Sequence, residues 1–164
     1  KVQPYYQNDY KNAYCTGSST TIASSGCGPT SMAIVVSSLL GEKHDPVELA
    51  KFSCDNGYRI PSQGTSWGFF AAAGKKYGLK VQEVGNDKKG QDEVLAALNT
   101  GKKLVIASTY KKPFTSKGHY IVLTSHKDGN VFVQDPNKNN QSKLFSFQDV
   151  VIPASKQYWI ISKG

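Results

Sequence analysis

Between Gly26 and Gly41 the chain carries no charged side chain, and this stretch constrains the fold more than any other. Met32, Ala33, Ile34, Val35, Val36, Leu39 and Leu40 follow one another too densely for a surface element, so the segment reads as a buried helix. Gly41 supplies a stop of the kind helices favour. Pro29 fits only the first turn, where its missing N–H costs nothing. The helix therefore runs from about Cys27 to Leu40, with Cys27 at or just before its N-terminus. The flanking glycines, Gly26 and Gly28, leave the approach to the thiol uncrowded. A thiol there feels the positive end of the helix dipole, which favours the reactive thiolate. The plain alternative is a cysteine filling a small core hole.

At 164 residues the chain is one domain, 1–164, long enough to bury a core. Its net charge of +8 and pI near 9.3 make the surface basic. The lysines come in scattered pairs (Lys75-Lys76, Lys88-Lys89, Lys102-Lys103, Lys111-Lys112), with Arg59 the single arginine. No arginine stripe or aromatic RNA-binding signature appears, which argues against nucleic acid. A dispersed lysine coat suits an anionic surface or polymer, such as a phosphate-rich bacterial wall, or plain solubility. No apolar run reaches membrane-spanning length, and the first residues carry no signal-peptide core. Beginning at Lys1, the chain reads as a mature product or an excised domain. If Cys27 stays free, Cys15 and Cys54 remain for one disulfide. Closing a loop of about 39 residues, it would add roughly 4 kcal/mol in an oxidising compartment. The absence of Cys-x-x-Cys spacing argues against zinc, and no metal or cofactor is expected.

Residues 1–25 lack periodicity and read as an extended, loop-rich arm, tied down by Tyr5, Tyr6, Tyr10 and Tyr14. Asp45-Pro46 caps a second helix from Val47 to about Asp55, ended by Asn56-Gly57. Gly64-Thr65-Ser66-Trp67 starts a third, with Phe69, Phe70, Ala73 and Tyr77 inward and Gly78 after it. A strand follows at Leu79–Val84 and a fourth helix at about Gln91–Leu98. Strands are then expected at Lys103–Thr109, Gly118–Ser125, Asn130–Asp135 and Tyr158–Ser162. Helices first and antiparallel strands second is an α+β order. Loops 55–66 and 109–117 are the candidate subsite loops.

A nucleophilic cysteine needs a base, and the base a group to orient it. His44, in a polar turn, reads as a solvated loop residue, and His126, at a hairpin tip, as exposed. His119 opens an interior strand, Tyr120-Ile121-Val122-Leu123, and is the candidate base; a partly buried structural histidine is the alternative. With a three-residue Lys127-Asp128-Gly129 loop, His126 pairs with Asn130. Asp135 then falls opposite Ile121, on the face of His119 and diagonal to it at about 7 Å. A carboxylate there can fix the imidazole tautomer. A two-residue Asp128-Gly129 turn would put Asp135 on the other face. Asn137, across from His119, is the second choice. An oxyanion requires donors: the Cys27 N–H is one, and Gln7 or Gln3 supplies a side-chain amide.

Cys27 opening the first long helix, His119 starting a strand and Asp135-Pro136 ending the next resemble the papain-like cysteine peptidases. Tyr5-Tyr6-Gln7-Asn8-Asp9, Gly26-Cys27-Gly28-Pro29-Thr30-Ser31-Met32-Ala33, Gly118-His119-Tyr120-Ile121-Val122-Leu123 and Val133-Gln134-Asp135-Pro136 are similar to the bacteriocin-leader (double-glycine) peptidase-like branch. The resemblance runs in matching order from about Val2 to Ile161. It implies a papain-like fold, with N-terminal helices packed on a C-terminal antiparallel sheet. It further implies Cys27 as nucleophile, His119 as base, Asp135 as orienter and Gln7 as oxyanion donor. Between Gln7 and Cys27 lies a longer insertion than papain-like enzymes usually carry. Trp67 is the substrate-contact candidate, with core packing at a helix start as the alternative.

The expected activity is that of a secreted, wall-associated, monomeric cysteine hydrolase acting on peptide or amide bonds. Peptidoglycan is the leading substrate, as for a wall hydrolase or phage lysin domain. The alternatives are a Gly-Gly leader peptidase and a non-catalytic wall-binding module on the same scaffold.

Overall fold

The computed structural model describes residues 1–61 and 64–164; Ser62 and Gln63 of the candidate subsite loop 55–66 lie outside the described residues. The uncharged stretch forms the central helix. Here α1 is Ile22–Ser25 and α2 is Cys27–Leu40, closed by Gly41 in the left-handed conformation (φ 71°). Every residue from Gly28 to Ser37 is buried. Met32, Ile34, Val35 and Val36 are fully enclosed, which stabilises the fold by on the order of 2 kcal/mol apiece. Helix α3 (Pro46–Asp55) starts on Asp45, whose carboxylate accepts from the Glu48 N–H, with Pro46 in the first turn.

A short hairpin, β1 (Arg59–Ile60) with β2 (Gly64–Thr65), precedes α4 (Gly68–Lys76). The expected third helix thus begins later than Gly64-Thr65-Ser66-Trp67. Thr65 pairs with Arg59, and Gly64 adopts φ 114°, which no helix admits. Then come β3 (Lys80–Gly85), α5 (Lys88–Asn99), β4 (Lys103–Thr109), β5 (His119–Lys127), β6 (Asn130–Gln134), β7 (Lys143–Ser146), α6 (Ile152–Ala154) and β8 (Ser155–Ser162). Helix α5 starts ahead of the expected Gln91 because Asp87 caps it, accepting from the Gly90 N–H. Strand β7 and the wide helical turn Phe147–Val151 after it carry no clear pattern in the sequence.

Six antiparallel strands form one sheet in the order β3-β8-β4-β5-β6-β7. Alternate residues serve two cores. Leu104, Ile106, Tyr120, Val122, Trp159 and Ile161 pack with α2 and α4. Val105, Ala107, Ile121, Leu123, Tyr158 and Ile160 pack with Val94 and Leu98 of α5 and with Phe147 and Val151. The mixed fold of helices on an antiparallel sheet is the one expected, and the sheet is covered on both faces.

The expected extended arm is only partly extended. Gln7–Asp9 forms a 3-10 turn. Thr21 and Ser24 form a reciprocal capping box that nucleates α1, side chain to backbone in both directions. Of the serines and threonines of this region, Thr21 and Ser24 act as a helix cap, a role composition does not reveal. Tyr14 is 2% exposed and packs with Ile22 and Ala50. Cys15 and Cys54 form a disulfide that ties the arm to α3.

The β5–β6 hairpin corrects one expectation and explains why the site survives it. Lys127 pairs with Asn130 across a two-residue Asp128-Gly129 turn, with φ 54° and 82°, as in the type I′ turns that match strand twist. The three-residue loop is therefore absent. Unbroken, this register would send Asp135 to the wrong face. But Ser125 pairs with Phe132 while Leu123 pairs with Val133, leaving Thr124 as a bulge. Beyond it the pairing is the one required, Val122 opposite Gln134, and Asp135 follows on the His119 face.

Gly129 holds a positive φ that an L side chain adopts only with strain. Gly129→Ala should lower stability by about 1–2 kcal/mol, read as a reduced urea midpoint at unchanged slope.

Candidate functional site

Three segments distant in sequence meet at the head of α2. Cys27 is its first residue, partly buried, and the chain's free cysteine. His119 opens β5 and is 9% exposed. Asp135 follows β6 and is fully buried.

The His119 Nε2–H donates to Asp135 Oδ1 at 2.6 Å; an ionised carboxylate only accepts, so this contact fixes the tautomer. Nδ1 is left for the Cys27 sulfur. Burial pushes the Cys27 thiol up, but the His119 hydrogen bond, the imidazolium charge and the Tyr120 backbone N–H outweigh it, and the net shift is downward. Burial alone would lower His119; its bonds to Asp135 and Cys27 raise it instead. Both directions favour a thiolate–imidazolium pair.

Asp135 is held on every side. Its Oδ1 also accepts from the Asn137 backbone N–H (2.8 Å), and its Oδ2 from Asn140 Nδ2 (3.1 Å). Its own N–H donates to Ser142 Oγ at 2.9 Å. Asn137, the second choice as orienter, thus contributes its backbone to Asp135, while its side chain accepts from Asn8 (3.2 Å). Asn140 and Ser142 escaped the sequence reading. The Asn-rich run after Pro136 was their only signal, and it reads equally well as a loop.

The two amide candidates part company. Gln7 is 5% exposed in the 3-10 turn. Its backbone N–H donates to Pro136 (2.8 Å) and its Nε2 to the Ala23 carbonyl (3.1 Å), four residues before Cys27. One of the two Nε2 hydrogens remains for another acceptor. Gln3 instead hydrogen-bonds Ser38 through its backbone, near the far end of α2, roughly 17 Å along the axis from Cys27. The turn carrying Gln7 is latched to the Asp135 loop: Asn8 Oδ1 accepts from the Lys138 N–H and Asp9 pairs with Lys138 Nζ, both at 2.6 Å.

The glycines beside Cys27 do the opposite of clearing space. A Cβ on Gly28 would lie 2.7 Å from Thr65 Cβ, and one on Gly26 2.6 Å from Ile22. They permit close packing around the sulfur. Trp67 precedes α4, 43% exposed and edge-on to Trp159 at 5.6 Å. It is neither core nor isolated, and it sits two residues from the Thr65–Gly28 contact.

The other histidines lie elsewhere. His44 is not a free loop residue, for its ring bonds Glu48 (2.6 Å) and Glu42 (3.0 Å) and meets Tyr77 edge-on. His126 bonds Asn99 and accepts from the Gly129 N–H. A cavity of about 540 Å³ lies at the far end of α2, lined by Lys1, Lys80, Lys102, Lys103 and Lys163 among others, away from Cys27. Among the described residues no group of His, Cys, Asp and Glu could hold a metal ion, and no helix is long and apolar enough to cross a membrane.

Residues 1–163 match the model of the Peptidase_C39 like family. No curated protein sequence matches the chain. Among solved structures, it resembles the peptidase domain of Streptococcus ComA, a bi-functional ABC transporter in a quorum-sensing pathway. The identity is 18% and the TM-score 0.63, over 85% of this chain and 92% of that one. It also resembles a double glycine motif protease from an AMS/PCAT transporter, solved with its leader peptide. There the identity is 17% and the TM-score 0.61, over 99% of this chain and 91% of that one. At such identities the likeness is one of fold.

Because the imidazole offsets the burial of the sulfur, Cys27 should alkylate with iodoacetamide at pH 6 faster than a model thiol. In His119→Ala only the Tyr120 backbone N–H still opposes burial, and the rate at pH 6 should fall by at least tenfold. Peptide mass mapping follows the labelled site.

Proposed function

The chain belongs to the Peptidase_C39 like family, and from that premise we propose that it is a cysteine peptidase whose nucleophile is Cys27. The observation that carries this reading is the buried 2.6 Å contact from His119 to Asp135, with the second ring nitrogen left to a sulfur at a helix head.

The steps follow from the geometry. The Cys27 thiolate attacks the carbonyl carbon of a peptide bond. The negative oxygen that forms is held by the Cys27 backbone N–H and by the spare hydrogen of Gln7 Nε2. His119 hands its proton to the leaving amine, and the acyl group stays on sulfur. The imidazole then takes a proton from water, hydroxide attacks the thioester, and the acid product leaves. Asp135 keeps the imidazole aligned. Trp67, at the rim, contacts the substrate chain.

For substrate, the first reading is a peptide cleaved after a Gly-Gly pair. The support is the family match and the likeness to a double glycine motif protease bound to its leader peptide. A second reading, peptidoglycan peptides outside the cell, rests on the Cys15–Cys54 disulfide. Such crosslinks persist in oxidising compartments and are rare in the cytosol. The +8 charge is suited to an anionic wall. The same disulfide supports a secreted location, and a monomer suffices for the chemistry.

A Gly-Gly leader peptide and purified muropeptides, each incubated with the protein and read by mass spectrometry, separate the two. Cleavage of the leader after Gly-Gly supports the first reading, and cut cross-bridges or stems support the second. Product masses also distinguish a peptidase from a sugar–peptide amidase. Cys27→Ala should abolish cleavage of whichever is cut. Gln7→Ala should lower kcat by about 10²–10³-fold with KM little changed. Equal cleavage by native protein and Cys27→Ala would remove the proposal.

A further inference from the structure

The Tyr14 hydroxyl lies between the disulfide and the nucleophile. Tyr14 adjoins Cys15 and Ser53 adjoins Cys54, so the Cys15–Cys54 bond brings the two side chains together. The buried Tyr14 hydroxyl bonds Ser53 Oγ at 2.9 Å and Thr65 Oγ1 in a still shorter contact. Thr65 in turn packs against Gly28, the residue after Cys27, so closely that no Cβ fits there. The Thr65 carbonyl accepts from the Tyr120 hydroxyl at 2.6 Å, and Tyr120 follows His119 and turns its own backbone N–H to the Cys27 sulfur. Thr65 thus touches the neighbours of both the nucleophile and the base.

A second tie holds the same wall. The Arg59 guanidinium lies over the Tyr14 ring at 4.7 Å and donates to the Gly64 carbonyl (2.9 Å) and Thr20 Oγ1 (2.8 Å). Tyr14, Arg59 and Thr65 form one block between the arm and β2. All of these contacts on the arm side belong to the insertion that separates Gln7 from Cys27.

We propose that Tyr14 is a positioning residue: with its hydroxyl set by the adjacent disulfide, it presses Thr65 against Gly28, so that the reactivity of Cys27 depends on the Cys15–Cys54 bond being intact. The proposal rests on Cys27 being the nucleophile. An external dithiol breaks the Cys15–Cys54 bond, leaves two thiols and itself becomes a disulfide, without touching Cys27. The arm residues 10–21 then lose their covalent anchor to α3, the Tyr14 hydroxyl is released from Ser53, and Thr65 withdraws from the head of α2. Oxidised protein is the active form, and reduction turns it down.

Iodoacetamide labelling of Cys27 at pH 6, resolved by peptide mass mapping, reads the site without any substrate. Five samples are compared well below their melting range: native protein oxidised, and reduced with dithiothreitol and desalted; Tyr14→Phe oxidised and likewise reduced; and oxidised Thr65→Val. Reduction and each substitution should slow Cys27 labelling by about tenfold, since sub-ångström misplacement of a reacting group has costs of that order. Reducing Tyr14→Phe should add less than twofold, because both changes act through one hydroxyl. Far-UV circular dichroism checks each fold, and either variant alone suffices if the other unfolds. Unchanged labelling in the folded variants overturns the proposal, and so does a full further loss on reducing Tyr14→Phe. If the disulfide merely stabilises, reduction would lower the melting temperature and leave the labelling rate as it was, again overturning the proposal. If oxidised native protein labels no faster than a model thiol, the peptidase reading itself has failed and takes this proposal with it.

Discussion

The hydrogen bond from His119 to Asp135 is the interaction the rest of the site depends on. A fully buried carboxylate is costly to desolvate, and an unpartnered one would change its protonation or its place. Asp135 is fully partnered: the imidazole, the Asn137 backbone N–H and the Asn140 amide all donate to it. That requirement shapes the chain around it. Residues 136–142 must double back so that Asn140 and Ser142 return to the carboxylate and its backbone, and Pro136 turns its carbonyl to Gln7. The loop that looks irregular in sequence is ordered by one charge.

Much of this was legible in advance, and the boundary is physical. Helix α2 has the limits that Pro29 and Gly41 impose, because glycine and proline act through local backbone sterics. Strand β4 is likewise bounded as its apolar run suggests. What escaped depends on contacts far along the chain. The Asp128-Gly129 turn has the two residues a type I′ turn prefers, yet in an unbroken ladder only a three-residue loop puts Asp135 on the His119 face. Thr124 reconciles the two, and a bulge has no residue signature of its own. The helix start at Gly68 was displaced by pairing of Thr65 with Arg59, across a hairpin whose two-residue strands are too short to show an alternating pattern.

The arm shows the same division. Its tyrosines signalled packing, and Tyr14 is packed; its Ser/Thr content concealed the capping box that starts α1. That short helix matters because it delivers Ala23 to Gln7 and Gly26 to the head of α2. The pairing of Cys15 with Cys54 followed only on the condition that Cys27 stays free. Gln7 and Gln3 were inseparable by spacing, whereas three-dimensional placement parts them by most of the length of α2. Resemblance assigned Gln7 through its place beside Tyr5-Tyr6, and the hydrogen bond to Ala23 gives a physical basis for its location.

A free, activated thiol and a disulfide in one chain also constrain each other. Thiolates attack disulfides, and a lowered pKa raises the thiolate fraction. Two buried side chains, Tyr14 and Thr65, form the chain of contacts that runs from Cys15 to Gly28, the neighbour of Cys27. The sulfur of Cys54 faces the Tyr14 carbonyl at 3.1 Å, while that of Cys27 faces His119 and the Tyr120 N–H. The same two residues join the crosslink to the nucleophile mechanically. That chain of contacts is therefore a route by which the crosslink on one side can set the geometry on the other.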